Sequence, residues 1–373
     1  MRIVVAPQEF KGSLTAIEAA RAIAAGVRAA IPDAEIIEVP MSDGGPGLVD
    51  AMLAARGGER IETDVHDPLM RPVRAAWAIL AGDDAGTAAI EMAAASGLVL
   101  LRPEERDPLA ATTFGTGELI RAALDRGCTQ IIVGVGGSAT VDGGAGAMQA
   151  LGARLLDASG MDLRPGGAAL AALDRIDLVA RDPRLAKTRI RVASDVTNTL
   201  CGPTGAVAMF GPQKGASPAD VRSLEAALAH FGAIVLRDCA IDIFPLPGGG
   251  AAGGLAAGLA ALGATIEPGF DIVAEAVGLE ATIAAADAVI TGEGRLDAQT
   301  AYGKTASRVA GISHKHGKRI AIIAGSIEGD ANAHRETYDI IEVLRQPAMS
   351  VEDAMRDAKE HLVVAAERVA QQF

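Results

Sequence analysis

Four stretches of this chain combine glycine with a carboxylate and a hydroxyl or a cation directly after an apolar run. That mixture suits the holding of an anion and a metal ion better than it suits covalent chemistry. The densest stretch follows the apolar run 130–133 and reads Gly134-Val135-Gly136-Gly137-Ser138-Ala139-Thr140-Val141-Asp142-Gly143-Gly144-Ala145-Gly146. Glycines let backbone N–H groups approach an anion, and a helix starting after the loop, expected over 147–156, adds the positive end of its dipole. Gly136, Gly137 and Ser138 are therefore candidate phosphate ligands. Asp142 is a candidate for Mg²⁺, which takes oxygen ligands from one or two carboxylates together with phosphates. The plainer alternative is a tight strand-to-helix turn in which glycine only permits close packing.

Asp195, in Val192-Ala193-Ser194-Asp195 at the end of a short apolar run, is a second candidate for the metal or for a catalytic base. Lys214, in the glycine-bounded segment 205–215, could meet a phosphate or could be an ordinary solvated lysine. The third stretch, Thr291-Gly292-Glu293-Gly294-Arg295-Leu296-Asp297, places two acids and an arginine after a buried strand. Arginine offers a planar fork to carboxylate or phosphate, and the acids could bind metal or take a proton, so Glu293 and Arg295 are candidates. The bland reading is an Arg–Glu pair that pins the loop. Lys304 lies in a Gly303-Lys304-Thr305 tail like that of a Walker A loop, although Ala298 stands where its leading glycine belongs. At the start of the chain, Lys11 in Phe10-Lys11-Gly12-Ser13 follows the first apolar run, and Asp43 follows the second.

Other chemistries find less support. The six histidines, His66, His230, His314, His316, His334 and His361, are scattered without a zinc spacing. No Gly-x-Ser-x-Gly elbow accompanies a histidine partner. Gly134-x-Gly136-x-x-Ala139, with Asp157 further on, formally satisfies a dinucleotide fingerprint and keeps an NAD-dependent oxidoreductase as a distant alternative.

These loops need a frame. Residues 3–6 form a continuous apolar run, as in a strand covered on both faces, and Thr15 with Glu18 makes a capping box for a helix that Pro32 stops. A strand over 35–39, the Asp43 loop and a helix over 48–55 repeat the pattern. Near the other end, 288–291 and 319–324 read as buried strands and 305–314 as a helix. Ser350 and Asp353 cap a last helix running to Gln371. The alternation predicts a doubly wound α/β sheet with ligands at the carboxyl ends of its strands. Both chain ends, 1–76 and 276–373, are expected to build one domain, with 77–275, richer in glycine, as a second domain inserted into it.

Composition narrows the partners. The 373-residue chain carries a formal charge of -13, which removes the usual driving force for nucleic acid, and only 3% of its residues are aromatic, too few for base-stacking surfaces. Cys128, Cys201 and Cys239 are far apart and odd in number, which suits a reducing compartment. No apolar stretch is long enough for a membrane span or signal peptide, so a cytoplasmic enzyme of small metabolites is expected. Oligomeric state is not legible.

Taken in order, Phe10-Lys11-Gly12-Ser13-Leu14, Ser42-Asp43-Gly44-Gly45, 91–98, 112–119, Gly136-Gly137-Ser138-Ala139-Thr140, Phe210-Gly211-Pro212-Gln213-Lys214-Gly215 and 292–297 resemble the bacterial glycerate kinases of the family that includes the glucarate- and glyoxylate-pathway enzymes. The resemblance spans nearly the whole chain. It implies a flavodoxin-like domain from both chain ends, an inserted restriction-endonuclease-like α/β domain, and ATP-dependent phosphorylation of D-glycerate, usually to 2-phosphoglycerate. It implies ATP and Mg²⁺ as cofactors. Gly136, Gly137, Ser138, Lys214 and Lys304 would then serve the nucleotide, Asp142 or Asp195 the metal, and Arg295 or Lys11 the glycerate carboxylate, while Asp43, Asp195 and Glu293 compete for the base. The family usually reads Asp-Ser where this chain has Gln8-Glu9, and Glu where it has Pro46. A related hydroxy acid as substrate, or a weakly active metabolite-binding member, are the alternatives those departures suggest.

Overall fold

The computed structural model describes residues 1–82, 86–296, 305–329, 334–345 and 349–373, so Asp297 and Lys304 lie outside the described residues. In chain order the strands are β1 (Arg2–Val5), β2 (Glu35–Glu38), β3 (Gly58–His66), β4 (Pro72–Leu80), β5 (Thr87–Glu91), β6 (Gln130–Gly134), β7 (Arg154–Asp157), β8 (Leu173–Asp177), β9 (Arg189–Ala193), β10 (Thr265–Glu267), β11 (Ala288–Leu296), β12 (Arg319–Ile327) and β13 (Ile340–Val343). Contacts between Cα atoms divide the chain into two compact α/β units. The first comprises Met1–Asp43, Asp50–Gly57 and Val273–Phe373, and the second Gly44–Val49 and Gly58–Ile272.

The first unit carries a five-stranded sheet in the order β13-β12-β11-β1-β2, all of whose pairings are parallel. Ile3 and Val5 of β1, Ile290 of β11 and Ile323 of β12 are buried with Ile23 and Val27 of the helix Ala16–Ala30 and Leu362 and Ala366 of the helix Ala358–Ala370. Each such Ile, Val or Leu side chain contributes roughly 1.5–3 kcal/mol by leaving water, so the sheet is held chiefly by its aliphatic face. The capping box expected at Thr15 is present: Glu18 N donates to Thr15 Oγ1 (3.2 Å) and Thr15 N to Glu18 Oε2 (2.9 Å). Ser350 accepts from Asp353 N at 3.0 Å and starts the helix Val351–Arg356. The single helix expected there is broken at Asp357 (φ -102, ψ 20), and its second half resumes as Ala358–Ala370.

The second unit carries a six-stranded sheet, β10-β9-β6-β5-β4-β3, in which β5, β6, β9 and β10 run parallel and β3 and β4 form an antiparallel extension. Residues 58–76, read from the sequence as part of the terminal domain, therefore supply β3 and part of β4 here, because their ladder hydrogen bonds are satisfied by pairing through to β5. Trp77, Ile90, Ile131 and Val133 fill the sheet's core with Leu119 and Leu255, and Phe231 of the long helix Pro218–Cys239 packs in a second core with Leu155 and Ile176.

Two sequence expectations fail inside this unit. The helix expected over 147–156 is Ala145–Ala150, ending where Gly152 takes φ +90, and the apolar residues after it enter β7. Strand β7 pairs antiparallel with β8 alone, and Asp157 accepts from Ser159 N, Ser159 Oγ and Met161 N to close a turn. An acid for a dinucleotide ribose would have to end a parallel strand beside β6, so the oxidoreductase fingerprint has no geometry behind it.

Candidate functional site

In the first unit, the sheet order reverses between β1 and β11, the place where open α/β sheets bind ligands beyond their carboxyl ends. Pairing continues past the end of β1, with Gln8 N donating to Gly292 O at 2.8 Å and Thr291 Oγ1 donating to Ala6 O at 2.8 Å. Glycine is required here by close approach: a Cβ on Gly325 would stand 2.5 Å from Gly294 O, and one on Gly294 would stand 3.0 Å from Lys11 N. The loop bearing Lys11 is thereby drawn against β11, and β11 against β12.

This edge gathers Lys11, Asp43, Glu293 and Arg295, four of the residues singled out from their types and spacing. Gln8 Nε2 donates to Asp43 Oδ2 at 2.7 Å, so an amide stands against Asp43 at the position where the family pattern leads one to expect a carboxylate. Burial, and after it the Asp43 charge, push the Glu9 carboxyl up, while Lys11 pulls it back. Glu293 is only 5% exposed. Its charge, after burial, pushes the neighbouring Tyr338 hydroxyl up, and among the described residues that buried hydroxyl has no hydrogen-bond partner. Arg295 is exposed and pairs with exposed Glu328, which directly follows the adjacent strand β12, and this is close to the bland reading of the loop.

In the second unit, the glycine-rich loop after β6 is built differently from the expected phosphate cradle. Asp142 is wholly buried and accepts from five donors: Thr112 Oγ1 (3.2 Å), Thr113 N (2.8 Å), Thr113 Oγ1 (2.9 Å), Gly144 N (3.1 Å) and Gly146 N (3.2 Å). The anion at the start of the helix Ala145–Ala150 is thus the chain's own carboxylate, and its lone pairs are spent. Asp142 thus has a structural part in this loop, whereas its residue type and spacing make it a candidate for the metal. Gly136 N donates to Gly44 O (3.3 Å), Leu98 N to Gly137 O (2.9 Å) and Ala139 N to Ser96 O (2.9 Å), which leaves the exposed Gly137 turn with Ser138 as what remains of the cradle.

Lys214 also departs from expectation. It is 1% exposed, its Nζ donates to Thr140 O at 2.7 Å, and burial brings its ammonium down to about 7 despite the Asp142 charge. Instead of standing exposed to a ligand, the Lys214 ammonium is spent on Thr140 O, which it holds in place. Asp195, by contrast, is exposed at the end of β9, where its Oδ1 accepts from Gly269 N at 2.7 Å.

Two further residues were not among the site candidates. Glu91, ending β5, accepts from Gly47 N (3.1 Å) and Val49 N (2.9 Å) and so ties down the 44–49 loop, while burial pushes its carboxyl up. Arg345 follows β13 as Lys11 follows β1. A lone charge directly after an apolar run is the signal that could have found both.

The arrangement as a whole is shared with known proteins. The crystal structure of a glycerate kinase 2 candidate from Salmonella typhimurium LT2 is similar to this chain with a TM-score of 0.88 at 46% identity, over 100% of this chain and 98% of that one. The model of the glycerate kinase family matches residues 3–373, and the chain belongs to that family. The Escherichia coli K12 protein named glycerate 2-kinase is 46% identical over 99% of this chain and 97% of its own length. The Bacillus subtilis 168 protein named glycerate kinase is 45% identical over the same shares.

Proposed function

We propose that this protein transfers the terminal phosphate of ATP to a hydroxyl of D-glycerate, giving 2-phosphoglycerate. The observation that carries the reading is the full-length match to a relative named glycerate 2-kinase. The five-strand order of the first unit, 2-1-3-4-5 when its strands are counted as they occur, supports describing it as flavodoxin-like, with the second unit as the inserted restriction-endonuclease-like domain. A cytoplasmic setting, where ATP is available, fits the reaction.

Phosphoryl transfer asks the protein mainly for positioning and charge neutralisation. Glu293 is the best-supported base: it lies beside the strand-order reversal, buried, where it can take the proton of the attacking hydroxyl as the oxygen–phosphorus bond forms. Asp43 is occupied by the Gln8 amide and Asp195 by a backbone N–H, which makes each a weaker candidate for that proton. When bound, Mg²⁺ supplies neutralisation of the phosphate oxygens. Asp43 and Glu9 suit it, since burial and then the Asp43 charge push the Glu9 carboxyl up, and a cation would relieve that. Arg295 is assigned to the glycerate carboxylate, which would replace Glu328 as its partner.

The test is a coupled ADP-release assay with D-glycerate, Mg²⁺ and ATP, with the phosphorylated position read by phosphorus NMR. Absence of turnover would remove the proposal. Gln8, in place of an acid beside Asp43, favours a second reading in which a related hydroxy acid is preferred. Glycerate, tartronate and erythronate compared by kcat/KM separate the two.

A further inference from the structure

The first unit contains a cavity of about 200 Å³ at the carboxyl ends of β11, β12 and β13, roofed by the helix Val351–Arg356. Phe10, Leu344 and Met355 give it apolar walls, Ser326 a hydroxyl, and Lys11 and Arg345 two cations. We infer that this cavity is the nucleotide site, taking the heteroaromatic base of ATP between its apolar walls and the phosphates against Lys11 and Arg345. The inference rests on the reading that ATP is the phosphoryl donor.

Three features point the same way. First, the acceptor acid is a poor occupant: glycerate carries a carboxylate and two hydroxyls on three carbons, so aliphatic walls would desolvate it without giving hydrogen bonds in return. A flat base with an apolar face and a polar edge matches such walls, as small-molecule sites generally combine a mostly apolar lining with a few placed polar groups. Second, in a chain of formal charge -13, Lys11 and Arg345 are both exposed, and neither forms an ion pair among the described residues. Arg345 Nε donates to Met349 O at 3.2 Å, which anchors the guanidinium, and among the described residues its two terminal nitrogens have no acceptor. A pair of exposed cations outside any ion pair among the described residues, at the rim of an apolar slot, is complementary to a polyphosphate joined to a base. Third, the cavity adjoins the reversal of strand order between β1 and β11, with Lys11 on the loop that follows β1. Glu9 is the acid in electrostatic reach of Lys11, and a cation accompanying the phosphates would offset its charge.

The glycine loop of the second unit is the competing location, and its N–H groups are largely consumed within the chain. The experiment fills the cavity and reads the two substrates separately. Ala354→Trp places an indole in the slot, and Arg345→Met removes a rim cation; Ala354 lines the cavity from the roof helix. Binding of a fluorescent ADP analogue and steady-state KM values are measured on both variants. The expected result is a rise of at least tenfold in the ADP dissociation constant and in the KM for ATP, with the KM for glycerate within about twofold of the original. A change confined to glycerate, or unchanged ADP binding in the folded Ala354→Trp protein, overturns the inference. Hydrogen exchange on the unaltered enzyme covers the case of a variant that fails to fold: ADP should slow exchange over 349–358 and 10–14, and protection restricted to 134–146 defeats the proposal. Unaltered enzyme that binds ADP at this cavity but leaves glycerate untouched would sink the acceptor reading while upholding the nucleotide site.

Discussion

The two glycine-containing edges of this protein start from similar residues and end in opposite chemical states. Around the loop after β6, the acid and the cation expected to meet a ligand are turned inward: Asp142 accepts five donors, Thr113 Oγ1 accepts from Ala147 N while donating to Asp142, and Lys214 is clamped to Thr140 O. At the edge of the first unit, glycine instead lets strand ends close on one another, and Lys11 and Arg345 are left facing outward beside a cavity. Glycine next to polar side chains therefore marks tight backbone approach in both places. Whether that approach serves packing or a ligand depends on how many lone pairs and N–H groups are already taken.

The comparison breaks most sharply at Glu293. Glu293→Gln should lower kcat by about 10²–10⁴-fold with both KM values changed less than threefold, as expected for loss of a general base, and steady-state kinetics would place the base elsewhere if kcat held. On the opposite edge, Asp142→Ala should cost about 3–4 kcal/mol of unfolding free energy, since several buried donors lose a charged acceptor together. Urea denaturation with and without Mg²⁺ checks it, and a loss that appears only with Mg²⁺ would restore Asp142 as a metal ligand.

Lys214 sharpens the contrast through pH. Its folded value of about 7 lies below that of an unfolded lysine, so the unfolded chain binds more protons between about pH 7 and 10 and stability rises across that window. The contribution is at most about 1.4 kcal/mol per pH unit. It should be missing in Lys214→Met, and the difference between the two proteins isolates it from Cys201, whose thiol is pushed up to about 12 and acts in the opposite direction. Parallel stability profiles for both proteins would mean that Lys214 stays charged. The smallest effect is expected at Arg295: its pair with Glu328 is exposed on both sides, so Arg295→Ala should change stability by less than about 0.5 kcal/mol. A rise in the KM for glycerate without loss of stability would support its assignment to the carboxylate.

What the sequence by itself determined was local. The Thr15–Glu18 capping box, the buried strands β1, β11 and β12 and the alternation of strand, loop and helix rest on side chains within a few residues of one another, so their periodicity and caps could be read directly. Candidate chemistry was legible too, because residue type states what a group can donate or accept. Tertiary structure alone decided which groups still had that capacity to offer. Asp142 is silenced by Thr112 and Thr113, some thirty positions earlier; Lys214 is buried under a carbonyl 74 positions away; and 58–76 joined the second sheet through pairing that leads to β5. A hydrogen bond between residues remote in sequence leaves no local trace, and it is such bonds that separate a loop already satisfied from one still able to bind.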